Sequence, residues 1–210
     1  MPNLEIIGTP HSNYVRSIRI LCEEKSVPYT LTPARPHAPE VKAINPAGQI
    51  PCLRHGDIAL FESKALATYI DRTFPGPKFI PEETLPAAQC EQWISYVNVK
   101  VDRWIMREFV VPSIFFDKST GPDTARIKAA LPEIDQCAQA LNHALAATGH
   151  LVGNQFTYAD MNVLPMLSIG AQYPACAAVL GKYSHITAFI TKLTARQSYQ
   201  KTAPPPRANG

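Results

Sequence analysis

The chain has 210 residues, of which 46% are apolar and 18% are charged. This length and apolar content allow one large domain or two small ones with a buried core, which excludes a disordered chain and a disulfide-stapled miniprotein. The 20 basic and 17 acidic residues give a net charge of +3, and the basic residues are scattered along the chain. Nothing in this pattern favours nucleic-acid binding.

The N-terminus and the apolar runs predict neither export nor a membrane span. Residues 1–3 lack the basic and apolar regions of a signal peptide, and the apolar run at residues 109–116 is interrupted by Pro112 and Ser113. We therefore expect a soluble, cytoplasmic protein with no membrane partner and no nucleic-acid partner. The five cysteines include no Cys-x-x-Cys pair, so we expect buried, reduced thiols and no metal site.

Residues 1–75 predict a small domain with a mixed sheet. Hydrophobic periodicity and turn residues indicate strands at residues 4–8, 29–32, 51–54 and 58–61, and helices at residues 14–25, 38–44 and 63–73. A crossover helix makes the first two strands parallel, and the turn at residues 55–57 makes the last two antiparallel. The resulting order, βαβαββα, is that of a thioredoxin-like domain.

A proline-rich connector at residues 76–86 separates this domain from a second one, residues 87–200, in which strand signals stop. We expect this second domain to be a bundle of helices, at residues 87–116 with an end near Pro112, at residues 124–147 and at residues 184–196. Pro132 predicts a kink or a break in the middle helix. Residues 201–210 predict an extended, mobile tail.

Residues 156–161 have the pattern of a helix start. Thr157 and Asp160 are spaced as in a capping box, in which each side chain bonds the other residue's backbone amide. Phe156 and Met161 are placed to pack on each other as a hydrophobic staple. This motif therefore predicts structure and not chemistry.

Ser12 lies where the first strand gives way to the first helix. A serine at this place is typical of a helix cap. The free amides and the helix dipole also favour a bound anion, to which the hydroxyl would donate a hydrogen bond. Both interpretations stay open from this residue alone. His11 precedes Ser12 directly, so its side chain is not placed to activate a serine nucleophile, which argues against a hydrolase.

Residues 45–51 read Asn-Pro-Ala-Gly-Gln-Ile-Pro and lead into the third strand. Gly48 permits a turn. A cis bond before Pro51 would turn the backbone N–H and C=O of Ile50 outward, where an extended peptide ligand would pair with them. The alternative is an ordinary loop with a trans proline.

Glu62 and Ser63 lie where the fourth strand passes into a helix. Ser63 and the first amides of that helix would hold a carboxylate, and Glu62 would pair with an ammonium group. The alternative is a capping serine beside a solvated glutamate. A peptide with a carboxylate, an ammonium and a thiol would satisfy all three local features, and glutathione is such a molecule.

The chain resembles the cytosolic glutathione transferase family, in its serine-type, bacterial-like form. The resemblance covers essentially the whole chain: the thioredoxin-like half, the proline-rich connector, the helical half and the capping box. Its most specific part is the motif Asn-Pro-x-Gly-x-Ile-Pro at residues 45–51 followed by Glu62 and Ser63. The resemblance implies a cytoplasmic detoxification enzyme with glutathione as its co-substrate and no metal.

The resemblance also implies a role for each site residue. Ser12 would donate a hydrogen bond to the glutathione sulfur, as in serine-type members. Gln49 and the Ile50 backbone would hold the cysteinyl part. Glu62 and Ser63 would bind the γ-glutamyl ammonium and carboxylate.

Two further contacts are less specified by the resemblance. A basic residue near the second helix would bind the glycyl carboxylate, and His37 is the first candidate, with Arg35 and Lys42 as rivals. The electrophile, a small hydrophobic molecule, would bind in an apolar cleft, with three candidates for its walls: Tyr14, Trp104 and Arg107. An aromatic stripe at helical spacing is also typical of plain core, so the alternative stays open for each of them.

Two alternative functions and an assembly state complete these expectations. A glutathione-dependent peroxidase, isomerase or dehalogenase would use the same thiolate. A non-catalytic glutathione- or ligand-binding or regulatory protein would keep the fold without the chemistry. Because family members usually form homodimers, we also expect a homodimer, with four candidate interface residues: Tyr69, Arg72, Trp93 and Tyr96.

Overall fold

The computed structural model describes residues 3–206. Their contacts divide the chain into two compact units. Unit 1 holds the described residues up to Ile80 together with those from Ala195 onward, and unit 2 holds Pro81–Thr194. The first boundary falls inside the predicted connector. No helix in the described part of the chain is both long and apolar enough to cross a membrane.

Unit 1 is built on a four-stranded mixed sheet. Its strands are β1 (Leu4–Ile7), β2 (Tyr29–Thr32), β3 (Cys52–His55) and β4 (Ile58–Phe61), in the order β2-β1-β3-β4. β1 runs parallel to β2 and antiparallel to β3, and β4 runs antiparallel to β3. The helices between the strands are α1 (Asn13–Glu24), α2 (Pro39–Lys42) and α3 (Ser63–Thr73). The predicted thioredoxin-like arrangement is confirmed.

The helices α1 and α3 each carry an apolar stripe that is buried in unit 1. α1 and α3 contact each other, and each also contacts strands of the sheet. Their buried apolar side chains recur three or four positions apart: Val15, Ile18, Leu21 and Cys22 on α1, and Leu66, Ala67 and Ile70 on α3. The sheet and these two helices therefore share one core.

One row of paired residues marks an end of the sheet. Ile7 pairs with Thr32 on one side and with Cys52 on the other, and Cys52 pairs with Phe61. β1, β2 and β4 run toward this row and β3 runs away from it. The segments that follow Ile7, Thr32 and Phe61, and the one that precedes Cys52, therefore leave the sheet at the same end. All three predicted site features lie in these segments.

Unit 2 is helical, as predicted. Its long first helix consists of α4 (Thr84–Tyr96), a π-helical segment π1 (Val97–Val110) and α5 (Val111–Ile114), and it is followed by α6 (Thr124–Leu145), α7 (Tyr158–Gly170), α8 (Pro174–Leu180) and α9 (Ser184–Thr194). At the end of π1 the N–H of Val111 donates to the carbonyl of Met106, five residues back. Within the described residues, the extended pairing in unit 2 is one isolated bridge between Val152 and Gln155.

The structure differs from the prediction at α6. This helix is continuous from Thr124 to Leu145, with Pro132 inside it, so the break considered at this position is absent. A proline removes one hydrogen bond of the helix ladder. The buried residues on both sides of it, Ala130 and Ile134, continue the same apolar face and hold the two halves in line.

The C-terminal segment also differs from the prediction. A short helix, α10 (Gln197–Lys201), contacts α1 in unit 1, whereas the predicted second domain extends to residue 200. Residues 201–206 were expected to form part of a mobile tail, yet Thr202 is fully buried and the carbonyl of Pro205 is bonded to His11. The rest of the predicted tail, residues 207–210, lies outside the described residues.

The capping box is confirmed at the start of α7. The Asp160 carboxylate accepts from the Thr157 N–H at 2.8 Å and from the Leu151 N–H at 2.9 Å. Asp160 is fully buried, and a buried carboxylate is tolerated only when hydrogen-bond donors surround it. These donors join the start of α7 to the preceding loop.

Candidate functional site

Ser12 is the N-cap of α1. Its backbone is extended (φ −75°, ψ 129°), and its Oγ accepts from the Val15 N–H at 3.4 Å. A hydroxyl oxygen that accepts a hydrogen bond keeps its own hydrogen for donation. Capping and donation to an anion are therefore compatible at this residue, and the two interpretations of Ser12 do not exclude each other.

Gly8 brings the start of α1 close to residue 50. A methyl group on Gly8 would lie 2.5 Å from Val15 Cγ2 and 3.2 Å from Ile50 Cβ, and Gly8 has φ +155°. The absence of a side chain at Gly8 thus allows the first turn of α1 and the loop before β3 to meet beside the end of β1. Two of the three predicted features are neighbours for this reason.

The loop before β3 is organised by Asn45, a buried residue. Its side-chain Nδ2 donates to the Gln49 carbonyl at 2.9 Å, and its Oδ1 accepts from the Ala47 N–H at 3.0 Å. The Gly48 N–H also donates to the Asn45 carbonyl, at 2.8 Å. Sequence reasoning assigned no role to Asn45, although an asparagine followed by proline and glycine is a known signal for such a turn.

The peptide bond between Ile50 and Pro51 is cis, which is the less common of the two predicted forms. Ile50 packs against a buried apolar cluster that includes Ile7, Val41 and Cys52. Among the residues that the structure describes, neither the N–H nor the C=O of Ile50 has a hydrogen-bond partner. This backbone pair is therefore available to a ligand, as the sequence motif predicts.

His37 contacts the same loop from the other side. The backbone N–H of His37 donates to the Gly48 carbonyl at 2.7 Å. The imidazole is also close, because a methyl group on Gly48 would lie 2.4 Å from His37 Nδ1. His37 itself has a positive φ of 66°. His37 and the rival candidates Arg35 and Lys42 are all exposed, so the assignment of the glycyl contact to His37 stays a prediction.

Glu62 and Ser63 are the first and second residues after Phe61, which ends the sheet in this row. Glu62 has φ +70° and ψ 114°, a conformation that residues with a side chain rarely adopt, and it caps α3 through its backbone. Ser63 is the first residue of α3 and is buried, while Glu62 is exposed. The first amides of α3 thus face the same end of the sheet as Ser12, with a carboxylate beside them.

The three predicted wall residues lie in different parts of the chain. Tyr14 is the second residue of α1, half-buried, in unit 1. Trp104 and Arg107 lie on π1 in unit 2, where the Arg107 Nε is 2.5 Å from the Asp102 carboxylate. Arg103 places its guanidinium 4.8 Å from the centre of the Trp104 ring. Their role as walls of an electrophile site stays a prediction.

The cysteines offer no thiolate for chemistry. All five are free and buried: Cys22, Cys52, Cys90, Cys137 and Cys176. Burial raises the pKa of Cys90 to about 11 and of Cys176 to about 12, and it also raises the pKa of Cys52 beside the loop. Within residues 3–206, no group of three or more histidine, cysteine or acidic side chains is arranged to hold a metal ion.

Comparison with known proteins identifies the family. The sequence profile described as "Glutathione S-transferase, N-terminal domain" matches residues 6–78, and the one described as "Glutathione S-transferase, C-terminal domain" matches residues 104–197. The chain belongs to the glutathione S-transferase family. Among its relatives in this family, glutathione S-transferase 3 of Zea mays is 31% identical over 225 aligned positions, which cover 98% of each chain.

Two other similar proteins show the breadth of this family. A solved structure of glutathione S-transferase I from maize, in complex with an atrazine glutathione conjugate, has a TM-score of 0.83 and 26% identity and covers 97% of each chain. The stringent starvation protein A homolog of Haemophilus ducreyi is 26% identical over 205 positions, which cover 95% of this chain and 89% of that protein. The serine-type, bacterial-like form of the family stays a prediction.

Proposed function

We propose that this member of the glutathione S-transferase family is a cytoplasmic, detoxifying transferase that binds glutathione and stabilises its thiolate for attack on a small hydrophobic electrophile. The observation that carries the proposal is the meeting of four segments at one end of the sheet. The Ser12 cap, the His37 loop, the Ile50 loop and the start of α3 all leave from the row that contains Ile7 and Cys52. Each offers a polar group for a different part of glutathione.

Ser12 would stabilise the thiolate by donating its hydroxyl hydrogen to the sulfur. A serine hydroxyl is too weakly acidic to lose its proton and act as a base at neutral pH. It can instead donate a hydrogen bond to an anion. A model thiol has a pKa of about 8.5, so most glutathione is protonated at pH 7. Lowering this pKa by about two units needs roughly 2.7 kcal/mol of stabilisation of the thiolate relative to the thiol. A hydrogen bond to a charged acceptor contributes about 1.5–3 kcal/mol, and the dipole of α1 adds about 0.3–1 kcal/mol. Together they amount to about 1.8–4 kcal/mol, a range that includes the stabilisation needed.

The remaining contacts follow the charges of the peptide. The outward N–H and C=O of Ile50 and the side chain of Gln49 would hold the cysteinyl part. Ser63 and the first amides of α3 would bind the γ-glutamyl carboxylate, and Glu62 would pair with the ammonium. His37 would reach the glycyl carboxylate because its loop is bonded to Gly48, next to Gln49.

The test is a glutathione titration combined with the ultraviolet absorbance of the thiolate as a function of pH. We expect the wild type to bind glutathione and to ionise it near neutral pH, and Ser12→Ala to bind without ionising it. Because alanine also removes the cap at a cost of about 0.5–2 kcal/mol, Ser12→Gly is the second variant, since glycine costs only a few tenths. Ser12→Thr keeps the hydroxyl and is expected to retain ionisation.

Ionised glutathione in both Ser12→Ala and Ser12→Gly would remove Ser12 from the mechanism. An electrophile screen on the wild type then separates conjugation from peroxidase, isomerase or dehalogenase chemistry, because all four use the same thiolate.

A second candidate function is a non-catalytic binding or regulatory protein. It is favoured by the match to a protein that is named a stringent starvation protein A homolog and not a transferase. This candidate predicts that wild-type protein either does not bind glutathione or binds it without forming the thiolate. The same titration therefore decides between the two functions.

A further inference from the structure

Three basic side chains, of the residue before Ser12 and of two residues on α1, hydrogen-bond to the C-terminal end of unit 1. We define residues 199–206 as the C-terminal strap. Three contacts each pair one basic side chain with one carbonyl of the strap: His11 with Pro205 at 2.9 Å, Arg16 with Tyr199 at 3.0 Å, and Arg19 with Thr202 at 3.2 Å. The three carbonyls are three residues apart along the strap, and together they contact the residue before Ser12 and the first two turns of α1.

Two of these carbonyls, those of Tyr199 and Thr202, lie at the C-terminal end of α10, and Pro205 lies beyond it. The last carbonyls of a helix have no partner further along the helix, and cations are stabilised at that end by the helix dipole. Arg16 makes the most extensive of these contacts. Its second amino group donates to the Tyr199 hydroxyl at 3.0 Å, and its guanidinium carbon lies 3.7 Å from the centre of the Tyr199 ring.

Ser12 lies between two of the residues that hold the strap. His11 precedes it, and the Arg16 N–H donates to the Ser12 carbonyl at 2.9 Å. The bond between Ser12 Oγ and the Val15 N–H is long, at 3.4 Å, so the cap alone holds the serine loosely. The backbone on each side of Ser12 is thus anchored through His11 and Arg16.

We propose that the C-terminal strap positions Ser12 for its contact with the glutathione sulfur, with His11 and Arg16 as the positioning residues. This inference rests on the proposed function. His11 acts through its Nε2–H, since a carbonyl oxygen only accepts hydrogen bonds. A misplacement of a reacting group by about 1 Å lowers a rate by up to about a hundredfold, so a loosened loop is measurable.

The experiment compares the full-length protein with three variants: a chain that ends at Ala203, His11→Ala, and both changes together. The readouts are the pKa of bound glutathione, kcat with an electrophile, and the KM for glutathione. We expect each single change to raise that pKa by about one and to lower kcat about tenfold, because a tenfold change in ionisation corresponds to one pKa unit. We expect KM to change less than twofold.

The double variant tests whether the two changes act through one contact. If His11 acts through Pro205, the combined change is no larger than either single change, whereas independent effects would multiply. His11→Gln retains a donor at the end of its side chain and is expected to restore kcat in part. Lys201→Ala is the matched control, because Lys201 lies on α10 but pairs with Glu23, 3.6 Å away, at the other end of α1.

Unchanged thiol pKa and kcat in both His11→Ala and the shortened chain would overturn the inference. Hydrogen exchange of the amides of residues 11–16 keeps it testable if the proposed function fails. If wild-type protein does not ionise glutathione, the proposed function falls, and the exchange rates then decide about the strap. Faster exchange in the shortened chain supports it, and equal exchange overturns it.

Discussion

Glu62 shows how a single residue is forced into a conformation that its own chemistry disfavours. Its φ of +70° with ψ of 114° lies outside the small left-handed region open to residues with a side chain. Such a backbone costs about 1–3 kcal/mol and persists only where neighbouring structure imposes it. Here Phe61 is fixed by β-pairing and Ser63 by α3, so Glu62 must make the turn between them. A glutamate in a sequence gives no sign of this.

Gly48 provides a test of the contact between His37 and the loop at residues 45–51. Gly48→Ala forces a left-handed conformation on alanine and places its methyl group 2.4 Å from His37 Nδ1, so the imidazole must move. We expect the free energy of unfolding to fall by about 1–3 kcal/mol and the glutathione Kd to rise about tenfold, the effect of losing roughly 1.4 kcal/mol of binding. Denaturant unfolding and calorimetric titration measure the two effects.

The matched control for this change is Gly153→Ala. Gly153 has a similar φ of +56°, but nothing lies within 4 Å of the added methyl group. The control therefore carries the same backbone penalty without the contact with His37. Equal glutathione affinity in Gly48→Ala and wild type would show that His37 does not contribute to binding.

At the scale of elements, the start of α7 depends on one buried carboxylate. Asp160 ties its own helix to the preceding loop through the amides of Thr157 and Leu151, and it also contacts the Thr157 hydroxyl at 3.1 Å. The Thr157 amide lies at a helix start, where the backbone N–H groups have no partner within the helix, and the Leu151 amide belongs to the preceding loop. In a buried place no water replaces the lost acceptor, so the box contributes more here than on a surface.

Asp160→Ala is expected to lower the free energy of unfolding by about 2–6 kcal/mol, because two buried amides each lose a partner at about 1–3 kcal/mol. The matched control is Asp123→Ala at the exposed start of α6, where the side chain accepts from the Arg126 N–H at 3.0 Å. That cap is expected to cost only about 1 kcal/mol. Similar losses in the two variants, measured by urea unfolding, would contradict the special role of the buried box.

The contact between α10 and α1 also belongs to the scale of elements, and it includes a salt bridge. The Glu24 carboxylate on α1 accepts two hydrogen bonds of 2.7 Å from Arg196, and one from Ser198. Burial alone would raise the pKa of Glu24, but these hydrogen bonds outweigh it and hold the pKa below its ordinary value. The stabilisation is therefore complete above the ordinary glutamate pKa of about 4.3 and is lost as the pH falls through the folded-state value.

Glu24→Gln removes this acid dependence. We expect the variant to be less stable than wild type at pH 7 and the difference to shrink as the pH falls through the lowered pKa of Glu24, where the wild-type side chain also becomes neutral. Urea unfolding at a series of pH values measures the difference. Glu108→Gln is the control, because Glu108 pairs with Arg126 at an exposed position and such pairs contribute little. A constant difference across the pH range would reject the assignment to Glu24.

At the scale of the whole molecule, the boundary between the units is set by a buried ion pair. Lys25 Nζ lies 3.3 Å from the Asp71 carboxylate, and both side chains are almost fully buried. The carboxylate also accepts from the Phe79 N–H at 3.0 Å and the Ile80 N–H at 3.2 Å. These bonds hold the connector to unit 1 as far as Ile80, so unit 2 begins one residue later.

The exposed edge strand β4 contacts α3, the helix that carries two of the four candidate interface residues of the predicted homodimer, Tyr69 and Arg72. β4 is an edge strand, with Ile58 and Phe61 43% and 38% exposed, and Arg72 on α3 is exposed as well. Tyr69 donates or accepts a 2.8 Å hydrogen bond with His55, and Trp93 and Tyr96 stack edge to face, with ring centres 5.5 Å apart. An exposed apolar edge strand is a surface that proteins cover by association.

Light scattering of the wild type is expected to give about twice the chain mass of 23.1 kDa, and Ile58→Lys is expected to reduce it to one chain by placing charges on the interface. Val111→Lys is the control, because Val111 is 41% exposed but lies on α5. A mass near 23.1 kDa for the wild type over a wide concentration range would contradict the dimer.

Local sequence determined much of the architecture. The strands at Tyr29–Thr32 and Ile58–Phe61 and the helix at Ser63–Thr73 have the predicted bounds, because alternating or helically spaced apolar residues and their flanking turn residues act over a few positions. The capping box at Thr157 and the thioredoxin-like order follow from the same short-range signals. The motif at residues 45–51 and Glu62-Ser63 also pointed to the glutathione S-transferase family.

Tertiary structure alone decided which of these local features become neighbours. The register of Ile7 with Cys52, the contact of His37 with Gly48, and the bond from His11 to Pro205, 194 positions away, join residues that no local pattern relates. The burial of Thr202 and the contact of Pro205 with His11 likewise contradict the predicted mobile tail over residues 201–206. Such contacts depend on the shape and charge of surfaces that exist only after the sheet and its helices have packed, so the residues of the strap carry no signal until the chain is folded.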